Sequence, residues 1–482
     1  MLFNSLPFFI FFPTVTALYF VFPHRFRWIV LLTASAIFYM AFIPAYLLIL
    51  LFTIVIDYIA GLLIENATGK RRLLYLIISL VSNIGILTFF KYFNFFSASL
   101  TSIAHLIHWN YSFHLLSIIL PVGLSFHTFQ ALSYTIEVYR GQQKAERHLG
   151  IYALYVMFFP QLVAGPIERP QNLIHQFKIH HSFDWQRVGS GLRLMLWGFF
   201  KKIVIADNAA AIINRIFDYP TQFTGLPLII AAILFTFQLY CDFSGYSDIA
   251  IGSARVLGFR LMKNFDQPFG SRTLPEFWRK WHISLSTWFR DYLYIPLGGN
   301  RVPPLRHYLN LLIIFTISGL WHGANWTYVI WGCLHGFFMI FSTATVRIRQ
   351  KLIQLFKLER FPRFHHILQM CTTFSLVVTA FIFFRANTTS DAWHIITHLF
   401  ADFNFTFSKL LNALGTSSFN FIHLLTAIAC MEIITWAARQ SRLKSAFIST
   451  PLWMKISGYT TIVLWIIFFG YFGERPFIYF QF

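Results

Sequence analysis

Apolar residues along this chain gather in long runs, and short polar segments between them carry most of its charge. A helix rises about 1.5 Å per residue, so roughly 20 apolar residues suffice to cross a bilayer core. Runs on that scale occupy 3–22, 28–43, 45–64, 73–90, 113–133, 150–164, 188–206, 226–256, 309–322, 325–346, 367–384, 419–438 and 457–473. Pro44 parts the second run from the third, because a proline removes a helical hydrogen bond and clashes with the preceding turn. The prolines and Gly165 of FFPQLVAGPIERP (158–170) predict broken helix there. The pattern predicts an all-α polytopic membrane protein, one integral-membrane domain over 1–482, with its chemistry centred on about 238–346. Roughly eleven to thirteen segments would span the membrane or re-enter it.

The largest stretch without a spanning run is 257–308, and its pattern is different. Thr273 followed by Glu276 forms a capping box, and Pro275 lies in the first turn, so a helix starts there. Phe277, Trp281, Leu285 and Trp288 recur at helical spacing, while Arg279, Lys280, His282 and Arg290 fall off that stripe. Pro296-Leu-Gly-Gly ends the element. The expected object is one basic, Trp-rich amphipathic helix in the membrane interface. Its cations could attract anionic headgroups of membrane lipids, or Arg279, Lys280 and Arg290 could dock a phosphate-bearing acyl donor. Attraction to headgroups does not explain His282.

The next run carries SGLWHGANW, which places His322 in a stretch otherwise apolar from Leu309 to Ile340. An ionisable residue at membrane depth is costly and marks a functional site by default. A buried imidazole is neutral and can accept a proton, although it could equally be bonded to a neighbouring carbonyl. Gly319 and Gly323 leave room for a ligand or a second backbone. Cys333 lies too far along the axis to partner His322, and His335 falls on another face. No Walker A, HExxH or GxSxG pattern competes.

Composition narrows the class. The 482 residues are 57% hydrophobic and only 12% charged, against about 25% charged in soluble chains, so a soluble reading fails. The net charge of +20 could suggest nucleic acid, but that reading fails on position, because the cations sit in short loops between apolar runs. Basic clusters at 24–27, 70–72, 140–147, 255–306, 347–363 and 439–444 can all face the cytoplasm, with the N-terminus outside. The stretch 150–206 resists that scheme, since Arg169, Lys178, Arg187, Lys201 and Lys202 lie inside it. The start of the chain lacks a basic n-region and a cleavage site, which predicts a retained span. The four cysteines show no metal-ligand spacing, and no metal site is expected. Gln238, Asp242 and Tyr246 recur every fourth residue, to hold helices together or to line a polar tunnel.

WRKWHISLSTWFRDYLYIPLGGNR (278–301) followed by GLWHGANWTYVIWG (319–332) resembles the membrane-bound O-acyltransferase family. SFHTFQALSYTIEVYRG (125–141), FFPQLVAGPIERP, QLYCDFSGYSDIAIGSARVLGFRLMKNF (238–265) and the ending PFIYFQF extend the likeness over essentially the full length. It is closest to the bacterial branch that O-acetylates exopolysaccharides such as alginate. His127 and Cys241 depart from the pattern of that branch. The resemblance implies a helical fold with a central tunnel, in which His322 is catalytic and His282 is the second family position. Trp321, Asn325, Asp242 and Trp281 are then candidates to line that tunnel. It also implies an acyl thioester, acetyl-CoA in that branch, as co-substrate, with no tightly bound cofactor. Periplasmic acetyltransferases or other polysaccharide-modification proteins are the implied partners, and the bacterial inner membrane the implied location. D-alanyl transfer to teichoic acids and peptidoglycan O-acetylation stay open, as does a non-enzymatic polysaccharide exporter.

Overall fold

The computed structural model describes residues 1–478 other than 110, 118–119, 404–405, 442, 444–448 and 474, so the final residues of the PFIYFQF ending lie outside the described residues. Every element among the described residues is helical. Seven helical runs there are long and apolar enough to cross a membrane, and the remaining expected spans are shorter or more polar helices. The chain is a multi-pass membrane protein. Its described residues form two compact units, Met1–Met195 with Tyr246–Lys263, and Leu196–Gly245 with Asn264–Ile478.

The first unit holds α1 (Leu6–Val21), α2 (His24–Met40), α3 (Tyr46–Asn66), α4 (Gly69–Leu87), α5 (Phe93–Leu106), α6 (Leu124–Tyr139), α7 (Leu149–Met157), α8 (Pro170–Leu173) and most of α9 (Trp185–Phe199). Three boundaries differ from the expected spans. Among its described residues, the run 113–133 is helical only from Leu124, behind a Pro121-Val-Gly turn whose Gly123 has φ 79°. A Cβ on Gly123 would also meet the Val163 Cα at 3.0 Å, so the turn needs glycine twice over. The run 150–164 is a nine-residue helix followed by turns, as its prolines and Gly165 predict. Residues 93–106, not expected as helix, continue α4 through a π-helical turn at Thr88–Tyr92. A buried carboxylate also emerges. Asp57 of α3 accepts bonds from Ser79 Oγ (2.6 Å) and Asn83 Nδ2 (2.9 Å) of α4, which offset the cost of removing it from water.

The second unit begins in the last turn of α9 and takes in α10 (Asp207–Phe217), much of α11 (Leu226–Leu257), α12 (Leu274–Lys280), α13 (Ile283–Phe289), α14 (Pro304–His322), α15 (Trp326–Ala344), α16 (Val346–Leu355), α17 (Pro362–Arg385), α18 (Thr389–His398), α19 (Phe407–Leu414), α20 (Ser418–Ala437) and α21 (Leu452–Phe469). It explains part of the stretch that resisted the loop-charge scheme. Lys201 and Lys202 occupy a π-helix at Phe200–Ala206 and are buried. Lys202 Nζ lies 2.9 Å from Asp207 Oδ1 and 2.5 Å from Asp242 Oδ1. The second Asp242 oxygen accepts from the Ile478 amide at 2.7 Å, tying residues near the chain end to α11. A buried ion needs such partners, because its desolvation cost is several kcal/mol.

In the same unit, α14 and α15 pack as a close hairpin. A Cβ on Gly319 would come within 2.2 Å of the Tyr328 carbonyl oxygen, and one on Gly332 within 2.2 Å of the Phe315 carbonyl oxygen. Small residues at such crossings let two membrane helices touch backbone to backbone. The last residue of α14 is His322.

Candidate active site

The site lies within the second unit and starts with a helix that stops early. Thr273 caps α12 as expected, its Oγ1 accepting from the Glu276 amide at 3.3 Å. The Glu276 carboxylate reaches back to the Arg272 amide (2.9 Å) rather than to the cap residue's own amide. The expected continuous amphipathic helix is absent. Trp281 is extended, His282 has φ 43° and ψ 55°, and a second short helix, α13, starts at Ile283. This left-handed backbone costs an L-residue roughly 1–2 kcal/mol, so something must hold it.

Asn264 holds it. Its carbonyl oxygen accepts from the Ile283 amide at 2.8 Å, and its Oδ1 accepts from the Ser284 amide (3.3 Å) and Ser284 Oγ (3.0 Å). The Asp266 amide donates to the Lys280 carbonyl oxygen at 2.9 Å on the other side of the break. Asn264 is fully buried, and nothing in its sequence setting marked it out. The stripe Phe277, Trp281, Leu285 and Trp288 is at most 5% exposed, so it packs inside the protein rather than on lipid. Trp281 sits among Phe265, Phe277 and Phe381, with ring centroids 5.2–5.4 Å away.

This break delivers His282 to a fully buried position, its ring 4.6 Å from that of Phe243. The α14 terminus delivers His322, 4% exposed, so the residue expected within a long apolar run stands at a helix end before an extended Gly323. The two imidazole centroids are 6.3 Å apart. Trp321 flanks both, 4.9 Å from His322 and 6.2 Å from His282. Trp331 and Phe384 close the other side of His322 at 5.0 and 5.3 Å. Water is thereby kept from two titratable rings that approach one another.

The other expected residues divide. Asn325 is the N-cap of α15, its Oδ1 accepting from the Thr327 amide at 3.0 Å, and so has a structural task. Asp242 belongs to the Lys202 clamp, the helix-holding alternative of the two weighed for it. Lys280 is paired with Glu276 at 2.6 Å, and exposed Arg279 donates to the Pro275 carbonyl oxygen at 3.1 Å. Arg290 pairs with Asp291 at 2.8 Å and lines a cavity of about 140 Å³ together with Trp278, Ser286, Tyr294 and Ser318. Ser318 lies one helical turn before His322, so the cavity approaches the site along α14. His335, set aside on its spacing, is fully buried with its ring 5.0 Å from Trp331 and 4.9 Å from Trp278. Among the described residues no cluster of three or more His, Cys, Asp or Glu could hold a metal ion.

The profile of the membrane-bound O-acyltransferase family matches residues 146–383, which include both histidines. The probable alginate O-acetylase AlgI of Azotobacter vinelandii is 39% identical over 420 residues, covering 86% of this chain and 81% of that protein. The corresponding protein of Pseudomonas aeruginosa is 40% identical over 416 residues, covering 86% of this chain and 77% of its own. The peptidoglycan O-acetyltransferase of Helicobacter pylori is 36% identical over 396 residues, covering 77% of this chain and 72% of its own.

Proposed function

The chain belongs to the membrane-bound O-acyltransferase family, and from that premise we propose that it passes an acetyl group from acetyl-CoA toward an exported polysaccharide such as alginate. Family membership makes it an O-acyltransferase and leaves the transport-only alternative without support. The observation that carries the catalytic reading is the pair of buried imidazoles at 6.3 Å, each brought by its own backbone device. At that separation one small group can lie within hydrogen-bond reach of both rings.

In this reading His322 accepts the proton of an acceptor hydroxyl as its oxygen attacks the thioester carbonyl carbon. The carbon–sulfur bond breaks, and the departing thiolate takes that proton back from the imidazolium. The negative end of α14 stabilises the imidazolium while it lasts. His282, locked by Asn264, orients the donor or polarises its carbonyl. The cavity beside Arg290 and Ser318 is the route for the thioester end of the donor; at about 140 Å³ it is too small for the nucleotide, which stays outside near Arg290. A path through the membrane then lets a cytoplasmic donor serve a periplasmic acceptor in a bacterial inner membrane. The hydroxyl belongs to the polymer or to a periplasmic partner that relays the group.

Peptidoglycan is the second acceptor reading, favoured by the 36% identity to the Helicobacter pylori enzyme. The test uses purified full-length protein in detergent, acetyl-CoA and candidate acceptors, with thiol release as the signal. His322→Ala should lower kcat by about 10²- to 10⁴-fold at unchanged thermal stability. A wild-type rate in that variant removes His322 from the mechanism. Ester analysis of the extracted polysaccharide and of the extracted peptidoglycan separates the two acceptors.

A further inference from the structure

The second unit contains a groove that the proposed chemistry does not use. It has a volume of about 520 Å³ and runs between α15, α16, α17 and the start of α12. Its floor is apolar, with Phe338 and Phe341 from α15, Leu352 from α16, and Leu368 and Leu376 from α17. Its rim is cationic. Arg272, Arg349 and His365 line it, and no aspartate or glutamate does. Arg272 faces His366 through a 3.1 Å contact, and Arg349 donates to the Ser342 carbonyl oxygen, so both guanidinium groups are held near the groove.

The surroundings repeat that charge. Between residues 345 and 366 the chain carries Arg347, Arg349, Lys351, Lys357, Arg360 and Arg363 against Glu359 alone. Helix α16 buries none of its residues in the protein, and its Ile348, Leu352 and Leu355 are exposed alongside these cations. A helix with an apolar side and a basic side lies in the membrane interface. Both helices that it connects, α15 and α17, are long and apolar enough to span. The apolar floor therefore opens to hydrocarbon, while the rim stands at headgroup depth.

From this arrangement we propose that the groove is a binding site for an anionic phospholipid. The acyl chains lie along the phenylalanine and leucine floor, and the phosphate lies between Arg272 and Arg349. Charge complementarity selects the lipid class. The larger groove of the first unit, about 760 Å³ between α1 and α2, has no charged residue in its lining and holds any acyl chain equally well. A cation at the membrane surface favours an anionic lipid by about five-fold, so two arginines acting together favour it by more than ten-fold. Arg272 and Thr273 stand directly before α12, so the lipid touches the segment that leads to the His282 break. The binding claim does not depend on the acyl-transfer reading.

The full-length protein is placed in nanodiscs made of equal parts phosphatidylglycerol and phosphatidylcholine, released into detergent, and its retained lipids are counted by native mass spectrometry. Phosphatidylglycerol should be retained more than ten-fold over phosphatidylcholine. Arg272→Gln with Arg349→Gln should bring that ratio near parity, whereas Arg272→Lys with Arg349→Lys should keep it. Arg306→Gln, an exposed cation outside the groove, should leave the ratio unchanged. Equal retention of both lipids by the wild type overturns the site. So does an equal fall in Arg306→Gln, which would mean diffuse attraction to a basic surface.

Discussion

The left-handed backbone at His282 can be weighed by replacing the residue in two ways. His282→Ala and His282→Gly both remove an imidazole that is fully buried, and both leave nearly the same cavity. Their stabilities therefore differ mainly by the backbone. In an ordinary helix glycine is less stable than alanine by roughly 0.5–1 kcal/mol, because it surrenders more freedom on folding. At φ 43° and ψ 55° the order reverses, since alanine meets the left-handed penalty of roughly 1–2 kcal/mol and glycine does not. The glycine variant should be the more stable by about 1 kcal/mol, the penalty less the entropy difference. Thermal unfolding of the purified protein, followed by tryptophan fluorescence in one detergent, should place its Tm about 1 °C above that of the alanine variant. Acyl transfer should fall alike in both, because neither retains the ring. An alanine variant as stable as the glycine variant would refute the reasoning, and with it the claim that Asn264 holds a strained residue in place.

The remaining expectations concern what supports the site. Lys202→Met leaves Asp207 and Asp242 buried without their cation and should cost about 3–5 kcal/mol, measured by the same unfolding assay. Adding Asp207→Asn and Asp242→Asn should recover part of that loss, and no recovery would count against an ionic origin. Gly319→Ala drives a Cβ to 2.2 Å from the Tyr328 carbonyl oxygen and should cost about 1–3 kcal/mol, with reduced turnover because α14 carries His322 at its end. Gly458→Ala meets nothing within 4 Å and should unfold as the wild type does, so similar losses in both would discredit the close-packing account.

Local signals in the chain carried the helices and the Thr273 cap, because each depends on neighbours within a few residues, and they drew attention to both histidines. What they could not carry depends on partners far away. The spacing of Phe277, Trp281, Leu285 and Trp288 fits one helix, and all four are indeed buried, yet the helix breaks between the second and third of them. The break is held from Asn264, 18 residues before His282, and an asparagine in a polar loop gives no warning of that task. Lys201 and Lys202 resisted the loop-charge scheme for the same reason. The pair lies inside the run 188–206, and the partners that hold Lys202 in the interior include Asp242, 40 residues further on. The run 113–133 was apolar enough to span but carried a Pro-Val-Gly turn, whereas Phe93–Leu106, with its serines and threonine, was helix because α4 continued into it. The same distinction orders the site. His322 is positioned by its own helix, and so its motif announces it. His282 is positioned by a hydrogen-bond partner on another segment. A substitution at Asn264 should therefore act on turnover through His282, although Asn264 itself touches no reacting atom.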